Sequence, residues 1–132
     1  MKYLIFFLIL FTSCRTTTLT LYSEKFAYRT NQNDQWSEFS DWMPTNQKIK
    51  IKDPKFLCKN TILKIKGKKT HKYILFKDSI DSTRDENGNQ SIRINAKDTD
   101  GSNLYLIFIN KGDKVFMITY YTNLNTLYEV TD

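Results

Sequence analysis

Cysteine, proline, glycine and histidine are all scarce in this 132-residue chain, which holds two, two, four and one of them. Two cysteines cannot build the disulfide framework of a small secreted scaffold. So little Gly and Pro excludes collagen-like and low-complexity chains. A single histidine, His71, with no Cys/His ligand spacing gives no metal site, and it reads as a structural residue of an alternating strand. A Gly-rich phosphate loop and a Ser in a nucleophile-elbow context are also missing. No catalytic residue, metal or cofactor is therefore assigned, and the chain reads as a non-enzyme. Arginine is scarce as well, four against sixteen Lys. Arg supplies the bidentate phosphate and base contacts, so the net charge of +6 is a poor argument for nucleic acid.

What is abundant is aromatic: nine Phe, eight Tyr and two Trp in a chain the size of one domain. That composition belongs to a packed globular body and not to a disordered one.

The chain opens Met1-Lys2, then runs without charge from Tyr3 to Phe11. Such a stretch is long enough for the apolar part of a signal peptide and too short to cross a bilayer as a helix. Phe11-Thr12-Ser13-Cys14 resembles the lipobox of bacterial lipoproteins, in which an apolar residue and two small ones precede the lipid-receiving Cys. The resemblance implies that residues 1–13 are removed and that Cys14 carries the lipid. Arg15 follows, without the Asp that implies inner-membrane retention. The implied location is the bacterial cell envelope, lipid-anchored, on the outer membrane facing the periplasm. The alternative is ordinary signal cleavage and a soluble secreted protein. With lipid on Cys14, Cys58 stands alone and reads as a small buried thiol. Without it, a Cys14–Cys58 bridge is open in an oxidising compartment.

Residues 14–18 read as a short tether and 19–132 as a single all-β domain. Apolar residues alternate with polar ones at Leu19/Leu21, Ile49/Ile51, Leu63/Ile65 and Ile92/Ile94/Ala96. Phe26 and Tyr28 continue the first run in the opposite phase, which predicts a bulge near Ser23. Gly67-Lys68-Lys69, Asp98-Thr99-Asp100-Gly101 and Lys111-Gly112-Asp113 read as hairpin turns. Asp81–Asn89 and Asp98–Asn103 miss the spacing of a calcium loop and read as turn chemistry. The pattern predicts seven to nine antiparallel strands in meander order, as a sandwich or a small open barrel. The layout resembles the small all-β lipoproteins of unknown function common in Bacteroidota, with a distant likeness to lipocalins that carries no ligand with it.

Two features point outward from this body. Residues 48–77 contain eleven Lys and one Asp, whereas residues 78–132 carry a net charge of −4. Lys48, Lys50, Lys52, Lys64 and Lys66 occupy the polar phase of their strands and, with Lys68 and Lys69, predict one basic sheet face. Its candidate partners are an acidic protein, a lipid headgroup or an acidic glycan. The second feature is Trp36, Phe39 and Trp42, a candidate apolar or glycan pocket, or else a cover. The 103–122 hairpin is apolar on both faces and so needs cover, which the Trp36–Trp42 segment or the N-terminal strand can give. The expected function is a non-enzymatic module that binds a ligand or an envelope component. The alternative is an interaction or immunity lipoprotein that meets an acidic partner through the Lys face.

Overall fold

The computed structural model describes residues 18–52 and 61–132. The signal segment, Cys14, most of the tether and Cys58 lie outside the described residues. The described residues form an antiparallel all-β body of ten strands: β1 Thr18–Gln32, β2 Gln35–Trp36, β3 Met43–Lys52, β4 Thr61–Lys66, β5 Thr70–Leu75, β6 Asp81–Arg84, β7 Gln90–Asp98, β8 Asn103–Lys111, β9 Lys114–Tyr120 and β10 Leu124–Thr131. Eight of them follow one another in the order β1-β3-β4-β5-β7-β8-β9-β10, and β10 pairs back onto β1. The sheet is therefore a closed barrel, where the alternation pattern left a sandwich or an open barrel as the choices. Thr18, expected in the tether, is the first residue of β1 and pairs with Lys52.

Closure depends on β1. Its first part pairs with β3, from Thr18↔Lys52 to Phe26↔Met43. Its later part pairs with β10, from Lys25↔Glu129 to Thr30↔Leu124. The register of both pairings shifts next to Ser23, between Ser23 and Lys25 on the β3 side and between Tyr22 and Lys25 on the β10 side. Before this bulge Leu19 and Leu21 face inward; after it Phe26 does, packed on Tyr128. A bulge adds one residue and so flips the side-chain phase, which is the out-of-step alternation visible in the sequence. Ser23, buried at the bulge, donates its hydroxyl hydrogen to the Lys25 carbonyl.

β6 is not a ninth stave. β5 and β6 lie in succession along the same side of β7, at Leu75↔Ala96 and Asp81↔Arg93. The break between them is a 3-10 turn at Lys77–Ser79. Ser79 Oγ stitches it down, donating to the Phe76 carbonyl and accepting from the Asn95 amide.

The inward phases form one cluster that includes Ile49, Ile51, Leu63, Ile65, Leu75, Ile94, Leu106, Phe108 and Met117. An eight-stranded barrel is about wide enough for its own side chains to fill it, and here Phe108 and Met117 do so from neighbouring strands, paired Phe108↔Met117. Among the described residues every barrel strand and every residue of this cluster falls between Thr18 and Thr131. Expressed alone, residues 15–132 should give the circular dichroism of a β-protein and unfold cooperatively in urea. Phe108→Ala in that segment should lower the unfolding free energy by about 3–5 kcal/mol, read from the urea midpoint at unchanged slope.

Candidate functional site

The outer face of β3, β4 and β5 is built by register. Lys48 stands directly opposite Lys66 and Lys50 opposite Lys64 across β3–β4, and Lys64 stands opposite Lys72 across β4–β5. Partners in a ladder share a face, so these five ammonium groups share one side of the barrel. Lys52 extends the row on β3, while Lys68 and Lys69 lie exposed in the β4–β5 turn at its far end. The strands β3, β4 and β5 contain no Asp or Glu. Among the described residues none of these lysines is in an ion pair. The two ion pairs of the described surface, Lys25–Glu129 at 2.8 Å and Lys114–Glu129 at 3.3 Å, belong to β1, β9 and β10.

Like charges placed directly across a sheet repel. The consequence is visible at Lys66, whose pKa is lowered chiefly by the charge of Lys50, with desolvation, Lys64 and Lys48 adding to it. The structure thus brings together the lysines expected on one face and adds Lys72, which the strand alternation also places in the polar phase.

Trp36, Phe39 and Trp42 take a different part. The segment 37–42 runs along β1, where Ser37 and Ser40 donate their amides to the Thr30 and Tyr28 carbonyls and accept the amides of the same two residues on their hydroxyls. Trp36 packs on Tyr120 of β9 with ring centroids 5.4 Å apart, and Trp42 stacks on Phe116 at 6.3 Å. Arg29 lies over both Trp36 and Phe39, and Lys25 over Trp42. Beneath this layer the Asn125 amide, oriented with its oxygen toward Arg29, accepts from Nε at 2.9 Å and Nη2 at 3.0 Å. Asn125 and Ala27 are buried although they sit in the outward phase. Trp36 and Trp42 therefore cover the outer side of β9, the second strand of the 103–122 hairpin that is apolar on both faces. Trp36 lines a shallow depression of about 350 Å³ with Thr30, Gln32, Asn33, Gln35 and Ser37, to which Phe39 and Trp42 do not contribute.

A larger groove of about 440 Å³ lies on the outer surface, lined by Phe76, Asn95, Tyr105, Tyr120, Thr122 and their neighbours. At the margin of the core, sequence reasoning missed a polar contact. Tyr121 donates to Asp98 Oδ2 at 2.9 Å, with the Tyr73 phenol nearby. Burial, then the neighbouring Tyr73 and Asp98, pushes the Tyr121 phenol far up, and burial does the same to Tyr128. Desolvation raises the Asp98 carboxyl, but Tyr121 and the amides of Ser102, Asp100 and Gly101 outweigh it and hold the group below its ordinary value. The acidic turn is thereby explained without a cation: Asp98 Oδ1 accepts the Asp100 and Ser102 amides, and Asp85 Oδ1 likewise accepts those of Asn87 and Asn89. Among the described residues no group of three or more His, Cys, Asp or Glu is arranged to hold a metal, and no helix is long and apolar enough to cross a membrane. His71 lies exposed on β5, opposite Ile65.

By architecture the chain is an eight-stranded up-and-down β-barrel with a basic outer face. No family model, no curated protein and no solved structure matches it.

Lys64 faces a like charge on both sides, so Lys64→Gln should stabilise the barrel by about 0.5 kcal/mol at low ionic strength, with the gain vanishing near 1 M salt, where screening is nearly complete. Urea midpoints at two salt concentrations measure this. Glu129 is held below its ordinary value of 4.5, chiefly by the Lys25 hydrogen bond, against an upward push from desolvation. A carboxyl lowered in the folded state stabilises above its unfolded pKa and loses that contribution as pH falls through the folded one. Stability should therefore drop below about pH 4.5, and Glu129→Gln should flatten that acid limb in a pH series of melting curves.

Proposed function

We propose that this chain is a non-enzymatic binding module of the bacterial cell envelope, tethered through a lipid on Cys14, whose β3–β5 face holds an anionic component of that envelope. The observation that carries the reading is the stack of opposed lysines, Lys48↔Lys66, Lys50↔Lys64 and Lys64↔Lys72, with no carboxylate on the same strands. Such an arrangement opposes folding and is relieved when an anion arrives, so binding energy is stored in the free state. The filled barrel interior favours an outer surface over a lumen as the place where a partner meets the protein. The lipobox-like Phe11-Thr12-Ser13-Cys14 supports the envelope assignment.

Two measurements test it. Intact mass of the chain from its host should show loss of residues 1–13 and acyl groups on Cys14; a chain starting at Met1 without acylation ends the envelope part. Residues 15–132 should be retained on a heparin column and elute earlier as Lys50→Gln, Lys64→Gln and Lys72→Gln are combined. Elution of that triple variant at the same salt as the parent would remove the Lys face as the binding surface.

A further inference from the structure

The basic face is not uniformly charged. Across its edge nearest the start of β1 runs the row Thr18↔Lys52↔Ile62↔Ile74↔Lys97, read strand by strand through β1, β3, β4, β5 and β7. Ile62 and Ile74 are direct cross-strand partners on the outside of the barrel, and Ile74 is 40% exposed. A lysine flanks the pair on either side. The next row along the strands is Thr20↔Lys50↔Lys64↔Lys72, and the next is Tyr22↔Lys48↔Lys66↔Thr70. Tyr22 is 44% exposed, with Lys48 over its ring. With strands about 4.8 Å apart and two residues spanning about 6.7 Å, these rows place seven lysines, two isoleucines and a tyrosine within a patch roughly 13 Å by 19 Å.

We infer that this face seats on an anionic phospholipid surface, Ile62 and Ile74 entering the interfacial zone while the surrounding lysines hold the headgroup phosphates. The inference rests on the reading that the face binds anions, and names the anion. Three features favour lipid over an acidic protein. The cations on these rows are all lysine, the residue depleted from protein interfaces; the arginines that anchor such interfaces are absent from β3, β4 and β5. A compact, hydrated ammonium on a long stem suits many shifting phosphates better than one fixed carboxylate. An exposed Ile74 beside a half-buried Ile62, ringed by Lys and with a tyrosine at the margin, has the composition of a surface lying in a membrane interface. Geometry adds a fourth. Thr18 enters β1 on the isoleucine row, and Cys14 is four residues upstream, so a lipid there is held within about 14 Å of that row at the covalent limit of the chain.

The test uses residues 15–132, which lack the lipid, in flotation with vesicles of pure phosphatidylcholine or of phosphatidylcholine with phosphatidylglycerol. The expected result is co-flotation with the anionic vesicles only. Lys50→Gln/Lys64→Gln/Lys72→Gln should weaken it roughly a hundredfold, since each lysine near such a surface contributes several-fold. Ile74→Ser should weaken it about tenfold without altering elution from heparin, and Lys114→Gln, away from the face, should change nothing. Circular dichroism of each variant verifies the fold. Lysine-dependent heparin retention without anionic-vesicle binding overturns this inference and leaves the anion-binding reading standing, with an acidic protein as the partner. Vesicle binding that ignores the lysines overturns it too. Failure of both assays overturns the reading and the inference together.

Discussion

The pairing of β10 with β1 is the contact on which this molecule depends. Seven of the eight seams pair staves that follow one another along the chain, but the last joins the two ends of the domain. One long strand serves both neighbours, and the bulge beside Ser23 lets it do so: it turns the inward phase over, so that Leu19 and Leu21 serve the β3 side and Phe26 the Tyr128 side. The seam is then reinforced outside by Lys25–Glu129 and by the Trp36–Trp42 segment lying along β1.

That outer layer and the basic face divide the barrel exterior between two tasks. Over β9 and β10 the outward side chains are covered by aromatic rings and cations from β1 and the 37–42 segment, and an amide and an alanine are fully buried on what is formally the outside. Over β3, β4 and β5 nothing among the described residues covers the lysines, and like charges are set directly opposite one another. A fold under selection for stability alone would interleave acids there. The contrast between a covered half and an unrelieved half is what the proposed binding face rests on.

Much of this was legible in the residues. Alternation at Leu19–Leu21, Ile49–Ile51, Leu63–Ile65 and Ile92–Ala96 marks strands because a half-buried sheet imposes period two, and the same alternation places Lys48, Lys50, Lys64 and Lys66 on the other side. The bulge was legible as a change of phase. Closure was not, because it is a pairing between residues about a hundred apart, and Leu124–Asn125 carry no alternation that reveals β10 at its full length. Met43–Gln47, the first half of β3, reads as polar because its face lies near the barrel rim, where burial is partial. The Tyr121–Asp98 hydrogen bond escaped notice for a similar reason: a tyrosine at the end of an apolar run looks like core, and its hydroxyl partner comes from another strand. Ile62 and Ile74 read as ordinary strand residues, and only register makes them neighbours on the outside.

Closure also governs how anything can attach. Among the described residues each of the eight staves pairs with a neighbour on either side along part or all of its length, so no whole strand edge is left for a visiting segment to zip onto, and only the short β2 and β6 stand beside the ring. A partner of the proposed face would then be met by side chains on the curved exterior, where a single Lys→Gln or Ile→Ser change leaves untouched the ladder that holds the body together. The same lack of open edges keeps many copies crowded on one surface from knitting into a continuous sheet.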